Sequence, residues 1–291
     1  VFRSRFSVKQ YGMFFLALSA FSGSAVAQPA AHVWARVTTP AIMSGAAQSI
    51  GTYTAGCLRG AAALPQDGAG YQTMRLSRKR VYGHPDLIHF IEKLGQTTAD
   101  KGWGTLLIGD LGQPRGGPTL TGHRSHQTGL DVDIWYLLSR EAAARSLSLD
   151  ERETWGAPSV LAVRSDAVDA SRWSPANEKI LEAAARMPEV ERIFVNPGVK
   201  RQLCASRTPH DWLRKIRPWW GHDDHFHVRL KCPAGNSQCQ GQELIPEGDG
   251  CDASLDWWFS AEAREQLRSG KARKPAAALV LPEQCQAVLK E

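Results

Sequence analysis

Two short stretches gather the residues best suited to chemistry. "HDDHFHVRL", His222 to Leu230, holds three of the chain's nine histidines within six residues. "GHRSHQTGLDVDIWY", Gly122 to Tyr136, sets His126 seven positions before Asp133, with Gly129 permitting a turn between them. Imidazole nitrogen and carboxylate oxygen are ligands that zinc accepts, and a catalytic zinc takes three protein ligands and leaves the fourth position to water or substrate. His126, Asp133 and His227 form such a set, with Zn2+ as the cofactor it fits. Neither block contains a glutamate that could act as base. His225, two residues from His227 on the same strand face, is the best candidate to take a proton from water or to stabilise an oxyanion, with His222 as its partner. The plainer reading makes Asp131 and Asp133 a calcium-like pair or a solvated strand face; the convergence of two separate blocks favours zinc.

Both blocks must be strands for this to work. In "GLDVDIWY" the side chains of Leu130, Val132, Ile134 and Tyr136 alternate with those of Asp131, Asp133 and Trp135, and in "HFHVRL" those of Phe226, Val228 and Leu230 alternate with those of His225, His227 and Arg229. A period of two sends the polar residues to one face and the apolar ones to the other. A small antiparallel sheet with its apolar face on helices would aim the aspartates and histidines into one cleft.

The helices are legible from spacing. "HPDLIHFIEKLG" carries apolar residues at Leu87, Ile88, Ile91 and Leu94, and Gly95 is expected to end it. A second helix starts at Ser174 as N-cap with Pro175 at its first position, and Pro188 stops it after Met187. "WGTLLIGDL" and "ERIFVN" read as strands, the segment up to about Pro65 as irregular, and "GKARKPAAALVLP" as an extended linker leading to Cys285. "GQPRGGPTLTG", before His123, and Trp219 with Trp220, before the histidine cluster, are expected to wall the cleft, with Arg115 as partner for a substrate carboxylate.

The chain of 291 residues, 43% hydrophobic and 22% charged, has the make-up of a globular protein. Residues 1 to 27 read as a secretory signal peptide: Arg3, Arg5 and Lys9 precede the apolar run "MFFLALSAF", and "AVAQ" supplies a cleavage point after Ala27. One domain then occupies 28 to 291. Without those three cations the formal charge of +6 falls to +3, which is no nucleic-acid signature, and no later segment approaches the ~20 apolar residues of a membrane span. The basic runs "RLSRKR" (Arg75 to Arg80) and "WLRKIRP" read first as solvated faces. Six cysteines, an even number in an exported chain, argue for three disulfides. Cys232 and Cys239 bracket the turn "PAGNSQ" and form the expected local pair. Cys57 and Cys285, near the two ends, would tie the termini together and leave Cys204 with Cys251.

"SHQTGLDVDIW" and "HFHVRLKCP", followed by "GDGC" at Gly248 to Cys251, resemble the penicillin-insensitive murein endopeptidases, relatives of the D-Ala-D-Ala dipeptidases and lysostaphin-type enzymes. The resemblance continues through "RIFVNPGVKRQLC", "DWLRKIRPWW" and the six-cysteine framework. It implies an α+β fold with a small antiparallel sheet, and a periplasmic zinc enzyme that hydrolyses the D-alanyl to meso-diaminopimelyl cross-bridges of peptidoglycan. It implies His126, Asp133 and His227 as ligands, His225 and His222 as histidines beside the metal, and His123 as a further metal-binding residue. The family's Asp-x-x-His element has its nearest counterpart here in "DAVD", which offers Asp166 and Asp169 but no histidine, with Asp166 as the candidate for a second metal. The oligomeric state stays open, a dimer included.

Two other function classes compete. A D-Ala-D-Ala carboxypeptidase or dipeptidase would need a closed pocket for a terminal carboxylate in place of a through-going groove. A non-catalytic peptidoglycan-binding module is disfavoured by the complete ligand set. β-Lactams acylate a nucleophilic serine, and no serine here has a triad-like setting, so a serine hydrolase fits poorly.

Overall fold

The computed structural model describes residues 30–41, 45–120, 124–205, 211–269 and 279–291. Residues 1–27 therefore lie outside the described residues, as does most of the expected linker before Cys285.

The two polar-apolar strands are neighbours at the centre of a mixed sheet. The acidic strand, Asp131–Trp135, pairs antiparallel with the histidine strand, His225–Leu230, and the register sets His227 opposite Asp133 and Arg229 opposite Asp131. Outward from the histidine strand come Val190–Val195 and then Ile216–Pro218; outward from the acidic strand come Leu106–Ile108, Tyr71–Thr73 and Asp67–Gly68. The pairs Ile216–Pro218 with Val190–Val195 and Tyr71–Thr73 with Leu106–Ile108 are parallel, so the antiparallel centre is extended on both sides into seven strands. The overall class is α+β, as expected.

The alternation does what the pattern demands. Val132, Ile134, Phe226, Val228 and Leu230 lie in the main core with Leu87, Phe90, Ile91, Ile180, Leu181 and Ala184 from the two helices. Full burial of one such aliphatic or aromatic side chain contributes about 1.5–3 kcal/mol, which locks the register and with it the aim of the opposite face.

The first helix runs Pro85–Asp100, five residues past Gly95. Gly95 is therefore not a stop. A Cβ there would lie 2.6 Å from the Ala69 carbonyl oxygen, so the glycine lets the Ala69–Gly70 backbone cross the helix closely. Pro85 sits at its first turn, and His84 Nδ1 accepts from the Asp86 amide at 3.1 Å. The second helix, Pro175–Arg186, ends with Met187 in extended conformation just before Pro188. At its start, Ser174 N and Oγ both donate to Asn177 Oδ1, and Asn177 Nδ2 donates to the Tyr136 carbonyl at 2.8 Å, tying the helix to the end of the acidic strand.

The segment before Pro65 is not irregular. Gln48–Thr52 and Ala55–Arg59 form an antiparallel hairpin, and Cys57 joins Cys285, Trp34, Ile50 and Val288 in a smaller second core. Three disulfides are present: Cys57–Cys285, Cys204–Cys251 and Cys232–Cys239. The first closes a separation of 228 residues, which in the chain-entropy model removes about 5 kcal/mol of unfolded-state freedom. Among the described residues no helix is long and apolar enough to cross a membrane.

Candidate metal centre

His126, Asp133 and His227 meet at one point. Each offers a donor atom, all three atoms lie within 4.8 Å of one another, and all three residues are buried. His126 Nε2 stands 3.6 Å from Asp133 Oδ1 and His227 Nδ1 stands 3.1 Å from it. His126 arrives from the loop before the acidic strand with φ of 70°, a left-handed conformation uncommon outside glycine, and Gly129 completes the turn with the same φ.

The rings are held from behind. His227 Nε2 donates to Asp131 Oδ1 at 2.6 Å, which leaves Nδ1 as the nitrogen facing the centre. His126 Nδ1 donates to the Asp131 carbonyl at 3.2 Å, so Nε2 faces inward. A carboxylate or carbonyl bound to the far nitrogen of an imidazole is the usual companion of a metal-ligating histidine, since it fixes tautomer and ring orientation. Asp131 thus has its own task. It is fully buried, and it also accepts from Arg229 Nε at 2.7 Å. Burial alone would raise its pKa, but Arg229 and His227 outweigh burial and hold it well below the ordinary carboxylate value. Arg229 in turn lies over the Tyr53 ring at 3.6 Å and donates to Gln242.

His225 stands beside the centre with Nε2 at 3.6 Å from Asp133 Oδ1, and its Nδ1 is hydrogen-bonded to Asp224 Oδ1. Burial disfavours its charged form, yet the Asp133 and Asp224 carboxylates outweigh burial and raise its pKa. His222 sits in a loop with φ of 54°, its ring 5.0 Å from that of His225 and 5.9 Å from that of His227. Burial, reinforced by those two imidazoles, pushes its pKa down to about 3, so it stays neutral. The structure therefore assembles five of the residues singled out in the sequence.

Others fall elsewhere. His123 lies outside the described residues. Asp166 is not in this group; it accepts from Arg264 at 2.8 Å on a surface with Ser159, Val163 and Arg172. Arg115 is no substrate partner: it is buried and donates to the carbonyls of Thr39, Val288 and Leu289. The loop that contains it is likewise largely buried from Gly112 to Pro118 rather than an open wall. Trp219 is 56% exposed and does line the cleft, whereas Trp220 packs edge-on against Trp258 at 5.3 Å. Asp131, Asp224 and Arg229 are the residues the sequence reading did not assign. For Asp131 and Arg229 the signal was their phase, since both share the polar strand faces.

Cavities open on two sides of the centre. One, of about 480 Å³, is lined by Tyr53, Arg124, Phe194, Trp219, His222 and His227. The other begins at Asp133, His225, Trp135 and Arg78 and adjoins, through Arg78 and Asp110, a third cavity of about 530 Å³.

Known proteins carry the same sequence pattern. Residues 49–290 match the family model described as penicillin-insensitive murein endopeptidase. Proteins of that name from Klebsiella pneumoniae subsp. pneumoniae and Escherichia coli K12 are 44% and 42% identical over 277 residues, 95% of this chain and 96% of each relative. The one from Citrobacter koseri is 41% identical over 285 residues, 98% of this chain and 99% of its own. With likeness of this depth along nearly the whole length, the chain belongs to the penicillin-insensitive murein endopeptidase family.

Proposed function

We propose that this protein is a zinc-dependent endopeptidase that hydrolyses the D-alanyl to meso-diaminopimelyl cross-bridges of peptidoglycan, acting in the periplasm after removal of residues 1–27. The observation that carries the reading is the buried His126, Asp133 and His227 cluster, with its outer nitrogens already hydrogen-bonded to Asp131. Donor type, number and orientation fit zinc, and these three residues would hold it. Zinc bound there supplies Lewis acidity, polarising a carbonyl and making water acidic near neutral pH.

The chain's own residues supply the rest. His225 is the general base: Asp224 holds its Nδ1, so Nε2 is the atom that takes the proton from water and later returns it to the leaving amine. His222, kept neutral by burial, packs against His225 and limits where that ring can turn. Cavities on both sides of the centre suit a peptide that continues in both directions, which favours an endopeptidase over a carboxypeptidase with a closed pocket. Three disulfides suit an oxidising compartment.

The test is digestion of purified muropeptide dimers and monomers side by side, with fragments read by mass spectrometry, before and after chelation and zinc return. Conversion of dimers to monomers, lost with chelator and restored by zinc, is expected. Release of terminal D-alanine from monomers with dimers left intact would replace the reading with a carboxypeptidase.

A further inference from the structure

The basic run Arg75 to Arg80 is more than a solvated face. Leu76–Arg78 is a single 3-10 turn flanked by Arg75 at φ 56° and Lys79 at φ 54°, both left-handed without being glycine. Such conformations are costly and persist only where the surroundings enforce them. Here they do. Ser77 donates through both N and Oγ to Glu153, each at 2.7 Å, and the Arg75 amide donates to the carbonyl of Arg152, itself buried and donating to the carbonyls of Leu147, Gln66 and Thr73. The Arg75 guanidinium is used inwardly, against the Trp135 ring at 5.7 Å and the Trp155 carbonyl at 2.7 Å.

The strained turn presents its cations along one arm of the cleft. Arg78 lines both the cavity that starts at His225 and Asp133 and the cavity beyond it, where Lys79 and Arg80 join it. Among the described residues buried Asp110 is the one carboxylate lining that outer cavity, and it accepts from Arg78 at 3.0 Å and from Arg80 at 2.9 Å. The cavity therefore keeps an excess of positive charge, and the Arg78 side chain is 49% exposed. The opposite arm is lined by the Tyr53, Phe194 and Trp219 rings together with Arg124 and Arg229, and the Arg229 guanidinium is already committed to Asp131 and Gln242. A guanidinium held in a fixed fork is suited to a planar carboxylate.

We propose that Arg78 and Lys79 form a carboxylate-binding subsite on the His225 side of the centre, which takes a carboxylate of the peptide lying across the cleft and so fixes the direction in which it is bound. The inference rests on the endopeptidase reading for the identity of that peptide. The carboxylate belongs either to the half of the cross-link that supplies the scissile carbonyl or to the half that supplies its amine.

The experiment compares muropeptide dimers with all carboxylates free, with those of the carbonyl half amidated, and with those of the amine half amidated. Amidation of one half is expected to raise KM of the unaltered enzyme roughly 10- to 100-fold, the scale of a lost charge-assisted hydrogen bond, and so to name that half. Arg78→Gln should raise KM for the free-acid dimer by a similar factor, keep kcat and zinc content, and show a further loss on amidation no larger than the effect of removing Lys79. Lys79→Gln, at an exposed position that does not threaten the fold, should act in the same direction and less. Equal losses on free and amidated dimers, or an unchanged KM in both variants, would overturn the subsite. Calorimetric binding of the same three dimers keeps the two proposals separate. If no dimer is cleaved but the free acid binds through Arg78, the subsite stands and the catalytic reading fails; if binding ignores both Arg78 and amidation, the subsite fails whether or not dimers are cleaved.

Discussion

Replacing Asp131 by Asn tests whether the centre depends on the carboxylate behind it. Asp131 accepts two short bonds from cationic or polarised donors, His227 Nε2 at 2.6 Å and Arg229 Nε at 2.7 Å, in a fully buried setting. Asparagine keeps an acceptor oxygen in nearly the same place but loses the charge. Hydrogen bonds to charged groups are worth about 1.5–3 kcal/mol against about 1 for neutral pairs, so each bond weakens by roughly 1 kcal/mol. On the His227 side this lowers the basicity and the orientation of a ligand, and zinc affinity should fall about 10- to 100-fold. On the Arg229 side it leaves the buried guanidinium with a neutral amide oxygen, Gln242 and the Tyr53 and Phe194 rings but no counter-charge, so the metal-free protein should lose about 3 kcal/mol. The assay is a zinc titration against a competing chelator, beside urea unfolding of the metal-free form. Muropeptide cleavage at saturating zinc should recover to within about tenfold of the unaltered enzyme, since His225 and the three ligands remain. Unchanged zinc affinity in a folded variant would refute the argument that Asp131 orients His227. A variant that binds zinc fully yet cannot cleave would instead make Asp131 a participant in the reaction.

Other outcomes follow from the same geometry. His227→Ala should lose zinc and activity together, whereas His225→Ala should keep most of its zinc and slow cleavage by roughly 10²- to 10⁴-fold; metal analysis beside rates decides, and the reverse pattern would mean the two roles are exchanged. Lys200 is buried, its ammonium donating to the Leu213 and Asp249 carbonyls, and burial followed by repulsion from Arg217 lowers its pKa from 10.5 to about 7. Between those values the unfolded chain binds a proton the folded one does not, so stability should rise with pH from about 7 to 10.5, by at most ~1.4 kcal/mol per pH unit. Lys200→Met should remove that slope, read from urea midpoints at pH 7 and 9 with disulfides intact; an identical slope in both proteins would refute it. Under denaturing, non-reducing conditions the protein should show no reactive thiol, and six would overturn the disulfide pattern.

How far the site could be read from residues depended on whether the signal was periodic. The alternation in "DVDIW" and "HFHVR" carries its own geometry, because a strand whose other face must be buried has no choice of which side its aspartates and histidines take. His126 was legible through Gly129, whose left-handed φ makes the turn. Asp224 lies just outside the strand, and no periodicity marks a hydrogen bond to the next residue. Gly95 misled because glycine serves both as a helix stop and as a place where backbones cross, and only the crossing chain distinguishes them. Arg115 misled for a similar reason: its partner carbonyls at Val288 and Leu289 lie more than 170 positions away. The basic turn at Arg75 to Arg80 looks like an ordinary charged run, since backbone strain leaves no mark on composition.

The three disulfides are arranged as nested brackets. Cys232–Cys239 lies inside Cys204–Cys251, which lies inside Cys57–Cys285, with separations of 7, 47 and 228. A chain that appears amino end first, with each cysteine joining the next to emerge, would link Cys57 to Cys204, Cys232 to Cys239 and Cys251 to Cys285. Only the middle bond of that set is native. Maturation must therefore either hold Cys57 and Cys204 reduced or undo their link by thiol attack on a mixed disulfide. Because closure costs grow with loop length, the native bonds form most readily from the inside outward. The hairpin that carries Cys57 is thus fastened only after the helix Gln284–Lys290 has arrived, and a chain stopped short of that helix should hold the two inner bonds and leave Cys57 as a free thiol.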